Sequence, residues 1–127
     1  MGKILNIVER AYQGTLEEQD DQALWLVHAL KNAGMEQTVL LRGPGTAYAV
    51  NGQGVGTLTV AGKRAGNPAK MDEDLRRLAE KGVEILVVDE DATERGIEAS
   101  DLIPEARMVA RAEVPQLMVD AERIFAW

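Results

Sequence analysis

The sequence predicts an α/β protein whose strands are parallel. Two segments run from a helix through a glycine into an apolar strand: Leu30 leads through Gly34 to Val39, and Leu78 leads through Gly82 to Val83. An apolar, β-branched run at the amino terminus adds a strand before the first of them. Parallel strands need crossover connections, usually helices, so this alternation indicates a parallel sheet with helical crossovers.

Composition limits the classes of function. At 127 residues and 13.8 kDa the chain is expected to form one domain, residues 1–127. It has no cysteine, which excludes disulfides, thiolate metal sites and cysteine nucleophiles. A formal net charge of −7 argues against nucleic acid as a partner, because binding phosphates requires a basic face. No apolar run approaches a membrane span and no signal peptide is evident, so we expect a soluble, cytoplasmic protein without membrane contact.

The first strand and the first helix follow from local signals. Lys3–Val8 is short, apolar and β-branched, which is typical of a buried strand. Thr15 and Glu18 form a capping-box pattern and predict the start of a helix. The helix is expected to continue to about Ala33, with Gly34 as its terminating residue.

This first helix is apolar on more than one side. Leu24 and Trp25 fall outside its main apolar stripe, so a second partner is expected for them. That partner is either another subunit or a loop that folds over Trp25. His28 lies among apolar neighbours and is assigned no catalytic role.

A glycine-containing turn follows the second strand. The strand is predicted at Gln37–Leu41 and ends in the turn 42–46, before a short helix at 47–50. Such a turn can present backbone amides to an anion. Its spacing matches neither a dinucleotide fingerprint nor a P-loop, so a tight turn with positive φ is the favoured interpretation. Residues 51–67 are irregular, with a short strand or hairpin arm predicted at 57–60.

The second half begins with a regular helix and strand. Met71 and Leu75 recur at helical spacing, Gly82 ends that helix, and Val83–Val88 is the most apolar strand of the chain. A less apolar strand, suited to a sheet edge, is predicted at 107–112.

The carboxyl-terminal segment is predicted to be a helix. It starts at Val114 and carries apolar residues at Leu117, Met118, Ala121, Ile124 and Phe125. Trp127 is expected either to pack on this helix or to belong to an interface.

Three interpretations fit the acidic turn after the most apolar strand. Asp91 could cap a short helix, with Glu94 completing a capping box. Asp89, Glu90 and Asp91 could instead hold Mg²⁺ or Ca²⁺, but neighbouring side chains that leave a strand point to opposite sides, so no metal site is predicted.

The third interpretation is a small-molecule or anion pocket at the carboxyl ends of the strands, where open α/β sheets bind ligands. Arg95 is suited to hold a carboxylate or phosphate there, although it could also pair with nearby acids. The candidate ligand-binding residues are Tyr12, Arg42, Gly43, Gly45, Tyr48, Asp91 and Arg95.

Several of these residues together carry a resemblance to a known family. The glycine-ended helix at Leu75–Gly82 runs into a strand, followed by Arg95-Gly96-Ile97 and by Asp101-Leu102-Ile103-Pro104. This pattern resembles the DsrE/DsrF/DsrH family, which includes the Tus sulfur-relay subunits. The resemblance implies a three-layer α/β/α sandwich with a mainly parallel sheet of about five strands. It also implies oligomers, from dimers to hexamers.

The resemblance also identifies a position for the family's sulfur-accepting cysteine. Counting back from Arg95, that position is Val88, or Asp89 if the turn differs by one residue. Neither carries a thiol, and a persulfide requires a sulfur nucleophile. We therefore expect no persulfide carriage by this chain and assign no catalytic residue and no cofactor.

Two functions remain as hypotheses. The leading one is a non-catalytic oligomeric subunit or binding module that associates with itself, with related subunits or with sulfur-metabolism partners. The alternative is a small-molecule or anion-binding protein, or an enzyme, that uses the strand-end pocket near Arg42 and Arg95.

Overall fold

The computed structural model describes residues 3–10, 22–52, 58–65 and 71–127. The five strands of its main sheet are β1 (Ile4–Val8), β2 (Gln37–Leu41), β5 (Glu84–Val88), β6 (Ala106–Val109) and β7 (Arg123–Ala126). The order is β6-β5-β2-β1-β7, and every pairing is parallel. The predicted α/β class with a parallel sheet of five strands is confirmed.

Helices cover both faces of this sheet. The α-helices are α1 (Gln22–Asn32), α2 (Met71–Glu80), α3 (Asp89–Glu94) and α4 (Val114–Asp120). The helices α1 and α2 share one apolar core with the sheet, whereas α4 covers the other face. The result is the three-layer arrangement that the resemblance implied.

Alternation along the strands divides the buried side chains between the two faces. Val39 and Ile85 face α1 and α2, whereas Leu40 and Leu86 face α4. All four are at most 1% exposed. Strands buried on both faces are expected at the centre of a parallel sheet, which explains their continuous apolar sequence.

Glycines end the two longer helices as predicted. Gly34 follows α1 and Gly82 follows α2, each with a φ of +91°. Their amides bond back to the carbonyl oxygens of Lys31 and Ala79. An L-residue with a side chain is strained at this φ, so glycine is favoured at both helix ends.

The prediction of a carboxyl-terminal helix through Phe125 is wrong. The helix α4 ends at Asp120, and β7 follows it as an edge strand beside β1. Ile124 and Phe125 have side chains that favour strands, and β1 offers them a free edge. Trp127 continues beyond β7, where its amide donates to the carbonyl oxygen of Ile7 at 2.8 Å. The edge strand predicted at 107–112 is present as the shorter β6 and is not the last strand.

The irregular section contains a two-stranded antiparallel hairpin. Its arms are β3 (Leu58–Val60) and β4 (Lys63–Ala65), joined through Ala61 and Gly62, both with positive φ. The hairpin arm predicted at 57–60 is therefore present from Leu58. The capping box predicted at Thr15 and Glu18, and the candidate Tyr12, lie outside the described residues.

The extra apolar residues of α1 separate into a buried and an exposed one. Leu24 is part of the core, whereas Trp25 is 59% exposed. His28 is partly buried, and its Nδ1 lies 3.2 Å from Lys81 Nζ. Trp127 also packs against the core. Of the three residues for which an additional apolar contact was expected, Leu24, Trp25 and Trp127, only Trp25 is mostly exposed. Among the helices of the described ranges, none is long and apolar enough to cross a membrane.

Candidate functional site

A cleft of about 840 Å³ lies at the carboxyl ends of the strands. Segments that follow β1, β2, β5 and β6 form its walls together with α4. The lining residues are Glu9, Arg10, Arg42, Gly43, Pro44, Val88, Asp91, Arg111, Val114, Pro115 and Met118. The volume falls within the range of small-molecule sites, and the location is where open α/β sheets bind ligands.

The turn after β2 is packed directly on the backbone of β1. Gly45 donates its amide to the carbonyl oxygen of Glu9 at 3.2 Å and that of Arg42 at 3.0 Å. A Cβ at Gly45 would lie 2.8 Å from the carbonyl carbon of Val8. Gly43 has a φ of +55°, as the predicted tight turn requires. These two glycines allow the β2 turn to approach β1 and form one wall of the cleft.

Asp91 joins three strand-end segments. Its Oδ2 accepts a 2.8 Å hydrogen bond from the amide of Gly43, after β2. Its Oδ1 accepts a bond from the guanidinium of Arg111, after β6. The side chain of Asp91 is only 14% exposed. This carboxylate therefore fixes the relative positions of the segments after β2, β5 and β6.

Two other acids of α3 also reach Arg111. Glu94 accepts a hydrogen bond from the guanidinium of Arg111 at 3.1 Å. Glu90 accepts one from the backbone amide of Arg111 at 2.8 Å. The prediction that Asp91 caps a helix is wrong, because α3 already begins at Asp89 and Val88 occupies the N-cap position. Asp91 is in the first turn instead, where a negative charge complements the helix dipole.

A capping box is present beyond the end of α3. Glu98 and Asp101 form it around a short 3-10 turn, with the Glu98 amide donating to Asp101 at 2.9 Å. A neighbouring segment therefore fulfils the capping role expected of the acidic turn.

The two acids nearest to Arg111 are held ionised. Burial alone would raise the pKa of Asp91. The hydrogen bonds from Arg111 and Gly43 and the charge of Arg111 have a larger, opposite effect, so the pKa of Asp91 is below its usual value. The bond from the amide of Arg111 lowers the pKa of Glu90. The hydrogen bonds from Asp91 and Glu94 raise the pKa of Arg111. All three groups are charged at neutral pH.

A second ion pair lies on the β1 side of the cleft. Arg42 bonds through both Nε and Nη2 to Oε1 of Glu9. Both side chains are partly exposed, so this pair is more accessible to solvent than Asp91. Arg10 is next to Glu9, is exposed, and has no partner among the described residues.

The structure brings some of the predicted site residues together and separates others. Arg42, Gly43, Asp91 and Val88 line the cleft. Gly45 supports the turn behind it, and Tyr48 is buried in the core.

Two further predicted residues lie outside the cleft lining. Arg95 bonds to the carbonyl oxygen of Asp91 at 3.0 Å and is 4.0 Å from Glu94. Asp89 is exposed at the start of α3. Whether any of the predicted residues binds a ligand stays a prediction.

Sequence reasoning missed Arg10, Arg111 and Met118. A signal for Arg111 exists, because it directly follows the strand predicted at the sheet edge and strand ends converge in a parallel sheet. Met118 fits the apolar side of the predicted helix, and that spacing does not show its position relative to the strand ends. Arg10 carries no pattern beyond its place after β1.

The acidic turn does not gather its oxygens around one point. Asp91 and Glu90 direct their carboxylates to Arg111 and Gly43, as described above. Within the described ranges, no group of three histidine or acidic side chains is arranged to hold a metal ion.

Comparison with known proteins identifies the family. A model of the DsrE/DsrF-like family matches residues 3–127. The chain belongs to this family. At the family level, membership relates it to the subunits of sulfur relays. A search of curated proteins found no match.

Two solved structures share the fold over their full length. The ychN protein from E. coli has a TM-score of 0.79 and 18% identity, with all of each chain covered. MTH1491 of Methanobacterium thermoautotrophicum, described as a protein of unknown function, has a TM-score of 0.67 and 11% identity, again with complete coverage of both chains. At these identities the likeness shows the DsrE-like fold alone.

Proposed function

We propose that this chain is a non-catalytic DsrE-like binding module that takes a small molecule into the strand-end cleft and does not carry persulfide sulfur. The observation that supports this most directly is the cleft itself, where guanidinium groups of three strand-end segments adjoin an apolar wall. Val88, one of the two positions to which the resemblance assigns the family's cysteine, is part of that wall. The other position is Asp89, so neither carries a sulfur nucleophile.

The state of the acids argues against a catalytic role. A general acid or base works best with a pKa near the operating pH. The pKa values of Asp91 and Glu90 are instead lowered, because both groups accept hydrogen bonds in the folded protein. Glu9 is engaged by Arg42. These carboxylates support the shape of the cleft and its charge balance.

A thermal-shift screen of metabolites tests the proposal. We expect a bound metabolite to raise the Tm of the wild-type chain and not that of Met118→Trp, because the larger side chain fills the cleft. Val119→Trp is the matched control, since Val119 is on the same helix, 76% exposed and outside the lining. Equal stabilisation of all three proteins would place binding elsewhere. No stabilisation by any metabolite would count against a binding module.

Self-association, or association with related subunits, is a second candidate role that one edge of the sheet supports. All four residues of β7 are exposed, including Ile124 at 45% and Phe125 at 36%. An apolar edge strand is a surface that proteins usually cover or pair. Trp25 adds an exposed aromatic side chain on α1.

Light scattering tests this second role. We expect a stable oligomer that Ile124→Glu weakens and that Met35→Glu leaves intact. Met35 is also an exposed apolar residue, but it lies in the loop between α1 and β2. A monomer at high concentration would contradict association of the chain with itself and leave related subunits as the partners to test.

A further inference from the structure

We infer that the cleft selects a monocarboxylate that carries an apolar body. This inference rests on the proposed binding function and adds the chemical class of the ligand. It follows from three properties of the lining: oriented guanidinium groups with unused donors, one more arginine than acids among the lining residues, and an apolar wall.

Two arginines of the cleft are held in place and still have donors to offer. Arg42 uses Nε and Nη2 for Glu9, and Arg111 uses Nη2 for both Asp91 and Glu94. A guanidinium has five N–H donors. Three donor nitrogens have no partner within the described part of the chain: Nη1 of Arg42, and Nη1 and Nε of Arg111. An oriented guanidinium loses little freedom when it binds a further carboxylate oxygen.

The charge balance of the lining favours a single negative charge. Three arginines (10, 42 and 111) line the cleft against two acids, Glu9 and Asp91, each of which already pairs with one of these arginines. Glu90 and Glu94 also bond to Arg111, but both lie outside the lining. Arg10 is thus the cation without a described counterion, in a chain whose formal net charge is −7. A phosphate dianion carries one more negative charge than a carboxylate. The two lining acids would therefore repel it more strongly.

One part of the lining is apolar. Val88 ends β5, Val114 and Pro115 begin α4, and Met118 follows one turn later. Val88 and Val114 belong to the core between the sheet and α4 and are only 1% and 5% exposed. The accessible part of this wall therefore comes from the exposed Pro115 and the half-buried Met118. A small inorganic anion would leave this surface in contact with water. An apolar ligand body would cover it and gain binding free energy in proportion to the buried area.

Isothermal titration with three ligands of one shape tests the inference. The probes are 4-phenylbutyrate, 4-phenylbutanamide and 4-phenylbutylamine, with acetate and inorganic phosphate as anions that lack the apolar body. We expect 4-phenylbutyrate to bind at least about tenfold more tightly than the amide, as a charge-assisted bond at a partly open site allows. The amine, acetate and phosphate should bind more weakly still.

Variants locate the binding. Arg10→Gln should weaken 4-phenylbutyrate about two- to fivefold and leave the amide unchanged. Arg107→Gln removes the same charge from an exposed side chain of β6 that pairs with Glu84 outside the cleft, and should have no effect. Met118→Trp should abolish binding of both the acid and the amide.

The outcomes separate the ligand class from the binding function. Equal affinity for acid and amide, both lost in Met118→Trp, would overturn the carboxylate preference and leave the cleft as a binding site. Tighter binding of phosphate than of 4-phenylbutyrate would overturn the role of the apolar wall. If no probe bound while the metabolite screen gave a ligand sensitive to Met118→Trp, the inference would fail and the proposed function would stand.

Discussion

The turns after β2 and after β5 follow neighbouring strands of one sheet, but different interactions fix their positions. The β2 turn is held by its backbone, because Gly45 packs against the carbonyl group of Val8. The β5 turn is held by side chains, through the contacts of Asp91 with Gly43 and Arg111. The backbone of one turn therefore sets where the cleft lies, and the carboxylate of Asp91 in the other holds Gly43 and Arg111 in place.

Substitution of Gly45 should give the largest effect. We expect Gly45→Ala to lower the free energy of unfolding by about 3 kcal/mol or more, because the new Cβ overlaps backbone atoms of β1 that cannot rotate away. Urea unfolding followed by circular dichroism measures the change.

Gly34→Ala is the control for backbone conformation alone. Gly34 has a φ of +91°, but no atom lies within 4 Å of the position that a Cβ would occupy, so a loss of about 1–2 kcal/mol is expected. A smaller loss for Gly45→Ala than for Gly34→Ala would show that the β2 turn can move away from β1.

Asp91→Asn should have the next largest effect. The variant keeps the shape of the side chain but loses the charge that pairs with Arg111, in a side chain that is 14% exposed. We expect the free energy of unfolding to fall by about 2 kcal/mol. Asp89→Asn is the matched control, since that exposed acid has only a 3.4 Å contact with Thr93 and should change stability by less than about 0.5 kcal/mol. Equal effects would refute the special position of Asp91.

The Asp91 contribution should also depend on pH. Its folded-state pKa is lowered, so the unfolded chain binds the proton more readily and the ionised form stabilises the fold. This stabilisation is complete above the ordinary carboxyl range of about pH 4 and is lost as the pH falls through the lower folded-state pKa. Unfolding at constant ionic strength should show the gap between wild type and Asp91→Asn closing below about pH 4. A gap independent of pH would mean that charge plays no part.

Removal of the Glu9–Arg42 pair should have the smallest effect. Both side chains are partly exposed, at 34% for Arg42 and 44% for Glu9, so Glu9→Gln should lower the free energy of unfolding by less than about 1 kcal/mol. Salt should reduce even this difference, because exposed ion pairs are screened. Unfolding in low salt and in sodium chloride at about 1 M provides the measurement. A larger, salt-independent loss would place this pair in the same class as Asp91.

Local signals were sufficient for the centre of the fold. Helical spacing and the terminal glycines Gly34 and Gly82 predicted the ends of α1 and α2, because both signals act within a few residues. The strand β7 was missed because its apolar residues fit a helical spacing as well. What decides its conformation is the free edge of β1, which is distant in sequence.

The site was predicted in part for the same reason. Arg42, Gly43 and Asp91 were found by the rule that strand ends converge, which requires only the strand positions. The choice between Arg95 and Arg111 required the direction of each side chain around α3. Arg95 follows Asp91 by one helical turn and bonds back to its carbonyl oxygen, whereas Arg111 approaches from the next strand and reaches its carboxylate.

The pairing of β1 with β7 has a consequence for how the chain folds. Ile4 pairs with Arg123, so the interior position of β1 depends on residues that are far apart in the sequence. Contacts of such long sequence separation form slowly, because a large loop must close first. During synthesis, the outer edge of β1 therefore stays unpaired until the residues of β7 have left the ribosome. In that interval the outer edge of β1 is open to pairing with a strand from another molecule.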